Sequence, residues 1–159
     1  MKVEIYYESK SGNGRIAMTK LGEVLSARGA TVGVHHVSEA KPKELPQADL
    51  YVFSSPTRIG KPIGSMRRFA KKAKLPSGAK YAVVATYMEA QPDKKTGQMP
   101  TAEETAKYRR NIQMMDERLS GKGTKVADLS LMVKGMKGPL EDGWEAKLAA
   151  FADRLMGKA

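Results

Sequence analysis

The sequence predicts a doubly wound α/β domain. Three observations carry that reading. Short continuous apolar runs recur along the chain, amphipathic stretches alternate with them, and a glycine-rich turn joins the first run directly to the first amphipathic stretch. Continuous apolar runs suit strands covered on both faces, as in a parallel sheet, and the intervening helices supply the cover.

Val3, Ile5, Tyr6 and Tyr7 form the first strand. Ala17, Leu21, Val24 and Arg28, with Leu25 alongside, follow helical spacing. Thr31 to Val37 is rich in β-branched residues and reads as the second strand. The link from Ser38 to Ala48 contains Pro42 and Pro46 and reads as irregular. Leu50 to Phe53 is the third strand, and Met66, Phe69, Ala70 and Ala73 mark the next helix. Tyr81 to Ala85 is the fourth strand, and a long loop from Tyr87 to Pro100 follows it. Thr101 and Glu104 have the spacing of a capping box, which predicts one helix running on through Tyr108, Ile112, Met115 and Leu119. Leu129 to Val133 is the fifth strand. Trp144, Leu148, Phe151, Ala152 and Leu155 are the stripe of the last helix, with Gly138 to Gly143 as its lead-in.

At 159 residues the chain has the length of one domain, spanning 1–159. It is 41% hydrophobic and 28% charged, which argues against disorder along most of its length. It contains no cysteine, which excludes disulfides, thiolate nucleophiles and cysteine-ligated metal or iron–sulfur centres. Its start lacks the long apolar core of a signal peptide, and no run approaches the ~20 residues that span a bilayer. The expectation is a soluble, cytoplasmic domain without membrane partners.

In an open α/β sheet, ligands bind at the carboxyl ends of the strands. After the first strand come Ser9, Lys10, Ser11, Gly12, Asn13, Gly14 and Arg15, which open straight into a helix. Glycines let the backbone approach an anion, successive N–H groups at a helix start point at it, and the helix dipole favours negative charge. A flexible turn that binds nothing has the same composition. The loop is neither a Walker loop nor a GxGxxG fingerprint, since Ala17 occupies the third glycine position.

After the third strand come Ser55, Pro56, Thr57, Arg58, Ile59 and Gly60, followed by Gly64, Met66, Arg67 and Phe69. This string resembles the flavin-contacting loop and helix of flavodoxin-like NAD(P)H:quinone oxidoreductases, and its Ser-Pro-Thr core is similar to a wider set of flavodoxins. Beside it, Ser9 to Gly14 resembles the flavodoxin phosphate loop, with Gly14 in place of a third hydroxyl. Thr86, Tyr87 and Met88 lack the glycine-rich run of the quinone oxidoreductases and look more like the third flavin loop of flavodoxins.

The resemblance implies a five-stranded parallel sheet in the order 2-1-3-4-5 with FMN as cofactor. It further implies phosphate binding by Ser11 to Arg15 and a ring sandwiched by Pro56 to Gly60 and Tyr87. A tyrosine capping the core at a strand end is the alternative role for Tyr87. The resemblance also makes the Ile59–Gly60 peptide a candidate partner of the flavin ring, free to flip with redox state. The function implied is electron transfer. The alternatives are an FMN-dependent NAD(P)H oxidoreductase acting on quinones or other small acceptors, and a cofactor-free interaction module.

Lys and Arg number 28 against 17 Asp and Glu, giving a net charge of +11. Arg58 and Lys61 sit in the flavin loop, where flavodoxins of the familiar kind are acidic. They should favour an anionic reduced ring and raise its potential. The next helix adds Arg67, Arg68, Lys71, Lys72 and Lys74. That face is either solvated or a dock for an acidic redox partner protein. No helix-turn-helix, zinc-finger or RNA-recognition pattern supports nucleic acid. His35 and His36 are adjacent on a strand and point to opposite faces, so they make a poor metal pair, and no metal is expected. The quinone-reductase resemblance is compatible with an oligomer.

Overall fold

A computed structural model describes residues 1–158. The elements in order are β1 (Lys2–Tyr7), α1 (Asn13–Ala27), β2 (Thr31–His36), β3 (Leu50–Arg58), β4 (Lys61–Pro62), α2 (Gly64–Lys72), β5 (Lys80–Met88), α3 (Ala102–Lys107), α4 (Asn111–Leu119), β6 (Thr124–Val133) and α5 (Trp144–Leu155). Two one-turn 3-10 segments, Val37–Glu39 and Pro42–Glu44, fill the irregular link. Five strands pair in parallel in the order β2-β1-β3-β5-β6, which is the expected 2-1-3-4-5 topology once the short β4 is set aside. β4 pairs antiparallel with the tip of β3.

The pleat sends successive strand residues to opposite layers. Val3, Ile5, Val52, Val84 and Leu131 pack against Leu21 and Leu25 of α1 and Leu148 and Phe151 of α5. Tyr6, Tyr51, Phe53, Tyr81 and Val83 pack against Met66 and Phe69 of α2 and Met115 and Leu119 of α4. The second layer is aromatic; the buried Tyr6 hydroxyl has no partner among the described residues, and the other two tyrosines do. The Tyr51 hydroxyl donates to the carbonyl of Pro46, and that of Tyr81 donates to Asp116 at 3.1 Å. Burial, with Asp116 beside it, pushes the Tyr81 phenol up to about 12. Lys122 closes α2 from outside: its ammonium donates to the carbonyls of Ala70, Lys71 and Ala73 at 2.6–2.8 Å.

Several elements depart from the sequence reading: β3 runs on to Arg58 and β5 to Met88, so Ser55–Arg58 and Tyr87–Met88 are strand ends and not loop, and the short β4 is not among the expected strands. β6 begins at Thr124, five residues before the apolar run, because it is an edge strand whose first three residues, Thr124, Lys125 and Val126, are exposed and break the apolar pattern. The third helical stripe is not continuous. The Thr101–Glu104 capping box is present, but it caps the six-residue α3 alone. The helix breaks at Tyr108–Arg110, and Tyr108 is 61% exposed instead of lying in the stripe. The break lets Arg109 and Arg110 reach the tip of β3: the N–H of Arg110 donates to the carbonyl of Gly60 at 2.9 Å, and Gly60 and Arg109 form a bridge. A continuous helix would have kept those backbone groups for itself.

Candidate functional site

The carboxyl ends of β1, β3 and β5 open into one cleft of about 420 Å³. Ser9, Lys10, Ser11, Asn13, Gly14, Pro56, Thr57, Arg58, Thr86, Tyr87 and Met88 line it, joined by Ile63, Val133, Gly135 and Met136. Five predicted residues stand outside the lining: Gly12 at the head of α1, the exposed Arg15, the buried Ser55 behind the wall, and Ile59 and Gly60 at the hairpin. Ile59 and Gly60 line a neighbouring cleft of about 290 Å³, against Tyr108 and Arg109. Thr57, Tyr87 and Met88 form the wall common to both clefts.

One end of the cleft is the turn that leads into α1. Gly12 has φ 93°, which lets the chain turn from strand into helix without a Cβ penalty. No side chain caps α1, and its first intrachain backbone bond runs from the N–H of Ile16 to the carbonyl of Gly12 at 3.0 Å. The amides of Asn13, Gly14 and Arg15 are therefore unpaired among the described residues, as an anion site at a helix start requires. A Cβ on Gly14 would lie 3.1 Å from the carbonyl of Glu8, so the strand end forms a close floor. Asn13 is buried; its amide donates to the Ser11 hydroxyl at 3.0 Å, and the turn at Gly138 roofs it.

Beneath the loop lies a polar hub that sequence reasoning missed. The Glu8 carboxylate accepts from the Ser9 amide at 3.0 Å, the Ser65 hydroxyl at 2.6 Å and His36 Nε2 at 2.7 Å. Burial works to raise the Glu8 pKa, but these three donors outweigh it and hold the carboxyl below the usual glutamate range. The signal was available in part: a parallel first pair of strands in register puts Tyr7 beside His36, one residue from Glu8. His35 takes the same kind of partner, Glu4, at 2.6 Å.

The other end is a hairpin. Arg58 pairs with Lys61 across the two-residue turn Ile59–Gly60, with φ 50° and 78°. Two positive φ values identify a type I′ turn. Flipping its central peptide would drive Ile59 into a backbone region that essentially only glycine enters. The Gly60 carbonyl is also tied to Arg110. The freely flipping peptide that the resemblance implies does not fit this turn.

Asn111, another residue without a sequence signal, is fully buried behind the hairpin. Its side-chain amide lies 3.1 Å from the Ser55 carbonyl, 3.2 Å from that of Pro56 and 3.0 Å from the Thr57 hydroxyl. Tyr87 is 4% exposed. Its hydroxyl accepts from the amide of Ile112 at 3.4 Å, and the Arg109 guanidinium sits 5.9 Å above its ring. Burial raises its phenol. Tyr87 is thus a buried residue of the wall between the two clefts.

A protein-family model for flavodoxin matches residues 5–151. Among solved structures, a flavodoxin of Streptococcus pneumoniae TIGR4 is similar with a TM-score of 0.73 at 18% identity, covering 100% of both chains. Oxidised flavodoxin 2 of Bacillus cereus gives 0.73 at 20% identity, covering 99% of each. The rubredoxin oxygen:oxidoreductase of Desulfovibrio gigas gives 0.71 at 16% identity, covering 96% of this chain and 34% of that one. No curated protein matches in sequence.

Proposed function

The chain belongs to the flavodoxin family, and from that premise we propose that it carries electrons between redox proteins on an FMN seated in the cleft of β1, β3 and β5. FMN is the cofactor and electron transfer the role that family membership gives. The observation that supports this seat is the set of unpaired amides at the start of α1, in the same cleft as Thr57, Arg58 and Tyr87. The residues present fit the group: an anion-sized cradle with free donors at one end, and a wall of flat and apolar side chains at the other.

The amides of Asn13 to Arg15 and the Ser9 and Ser11 hydroxyls would hold the phosphate, with Lys10 and Arg15 adding positive charge. Gly14 offers no hydroxyl there, so backbone donors take the larger share. Pro56 to Gly60 and Thr86 to Met88 would receive the ring. Bound FMN supplies the redox chemistry; the protein orients it and sets the charge around it. Arg58 and Lys61 are exposed beside the cleft, and neither is in an ion pair among the described residues. On α2, whose apolar face is turned to the core, the half-buried Arg67 and the exposed Arg68, Lys71 and Lys72 are likewise in no ion pair among the described residues. Unpaired cations at the hairpin and on α2 suit an acidic partner, steered by long-range attraction.

Titrating the apoprotein with FMN and with riboflavin tests this reading, followed by visible absorption and quenching of flavin fluorescence. FMN should bind, and should bind at least ten-fold tighter than riboflavin, because the phosphate end contributes its own share. Absence of FMN binding overturns it. The reduced holoprotein should pass electrons to an acidic acceptor protein at a rate that falls several-fold as salt is raised. A salt-independent rate overturns the acidic partner alone.

A further inference from the structure

We propose that Asn111 is a positioning residue for the ring-contacting loop and that, with the backbone bridge at Gly60, it holds residues 55–60 in one conformation before the cofactor arrives. The inference rests on the FMN reading and adds to it which part of the chain shapes the ring end.

Asn111 has no solvent exposure. A fully buried primary amide is costly unless it is bonded, and leucine would fill the same space without that cost. This amide spends its donors on a single target. The carbonyls of Ser55 and Pro56 and the hydroxyl of Thr57 all lie within 3.2 Å of its nitrogen. These groups belong to the last residues of β3 before the hairpin. Its own oxygen is buried without a partner. A side chain placed for packing alone would not carry an unsatisfied acceptor while its other end serves three groups of one loop.

The backbone beside Asn111 does the same for the turn. The Arg110 amide donates to the Gly60 carbonyl. A Cβ at position 60 would come within 2.7 Å of the Lys107 carbonyl and 3.0 Å of the Tyr108 Cα, so the strut 107–110 seats only because position 60 is glycine. A second clasp closes the far side of the loop: the Ile63 amide donates to the Ser55 hydroxyl at 3.0 Å. Ile59 at φ 50° is strained for a β-branched residue, so the turn keeps this conformation only while these contacts hold it.

Asn111→Leu tests the proposal, with urea unfolding of the apoprotein as the check on folding. FMN and riboflavin affinities should both fall about ten-fold and by the same factor, because the phosphate end is untouched. In the variant apoprotein the Arg110 amide should exchange with solvent faster than in wild type by at least that factor. Wild-type affinities, or wild-type protection at Arg110, in a folded variant overturn the proposal. So does a loss confined to FMN, which would place the effect at the phosphate. Should Asn111→Leu not fold, Gly60→Ala, which evicts the strut, carries the test, and an unchanged riboflavin affinity there overturns it. Failure of the wild-type protein to bind FMN would count against the FMN reading instead, and leaves Arg110 protection in the apoprotein as the measure of the clasp.

Discussion

The two ends of the cleft are built in opposite ways. At the phosphate end, the loop Ser9–Gly14 is organised largely by its sequence neighbours. Gly12 turns it, Ser9 accepts from the Gly12 amide at 3.1 Å, and Ser11 accepts from Asn13. At the ring end, residues 55–60 are held from some fifty positions away, by Asn111 and the strut before it. The difference teaches where each end is vulnerable. A loop fixed by local turns and a close floor fails through a steric intrusion. A loop fixed by distant hydrogen bonds fails one bond at a time.

The hardest way to break the comparison is at the distant turn that roofs the phosphate end. Gly138 has φ 101°, and a Cβ there would come within 2.7 Å of the Asn13 side chain. Gly138→Ala combines left-handed strain with a collision against a buried amide, and should cost about 2–3 kcal/mol of stability. FMN affinity should fall more than ten-fold and riboflavin affinity much less, read by the same titrations. An equal loss for both would show that the two ends are not independent.

A smaller effect is expected at Glu8, which ties the phosphate loop to α2 and β2. Its carboxyl is held below the usual glutamate value of 4.5. A carboxyl depressed in the folded state contributes stability above its unfolded pKa, and that contribution is lost as pH falls through the folded value. Wild-type protein should therefore lose stability from about pH 5 downward, by on the order of 1 kcal/mol more than Glu8→Gln does over the same range. Chemical denaturation at a series of pH values measures it. Parallel curves for the two proteins would remove Glu8 from the account.

The smallest effect belongs to charge at the ring end. Arg58→Gln with Lys61→Gln should lower the flavin midpoint potential by a few tens of millivolts, since exposed cations near the ring are screened by solvent and salt. Phosphate-end binding, taken as the ratio of FMN to riboflavin affinity, should not move. A potential that is unchanged or higher refutes the electrostatic role of these two cations.

The fold was legible because both layers write their periods plainly. Val3, Ile5 and Val52 with Leu21 and Leu148 form one layer, and Tyr6, Phe53 and Met66 with Met115 form the other. The turn Ser9–Gly14 was legible as a glycine-rich entry to α1 because its glycines and hydroxyls stand next to one another. The ring end was legible only as a string resembling known loops. Asn111 carries no mark in sequence, because its partners are carbonyls of Ser55 and Pro56, and every residue has a carbonyl. The break at Tyr108–Arg110 hid behind a stripe that continues helical spacing straight across it. Tertiary pairing with Gly60 overrode local propensity there. The Glu8–His36 pair escaped because strand register must be known before the two can be placed side by side.

The excursion after β5 leaves at Met88 and returns at Tyr108–Arg110, and both departure and return touch the same wall of the cleft. Between them, Asp93 folds the tip onto itself, accepting from the amides of Lys95 and Thr96, and nothing from residue 91 to 99 is buried. The chain thus has a detour with both ends nailed down. Its middle can grow, shrink or be rewritten at little entropic cost, since closure depends only logarithmically on span. New recognition elements can be spliced in at that point without retuning the cleft's wall.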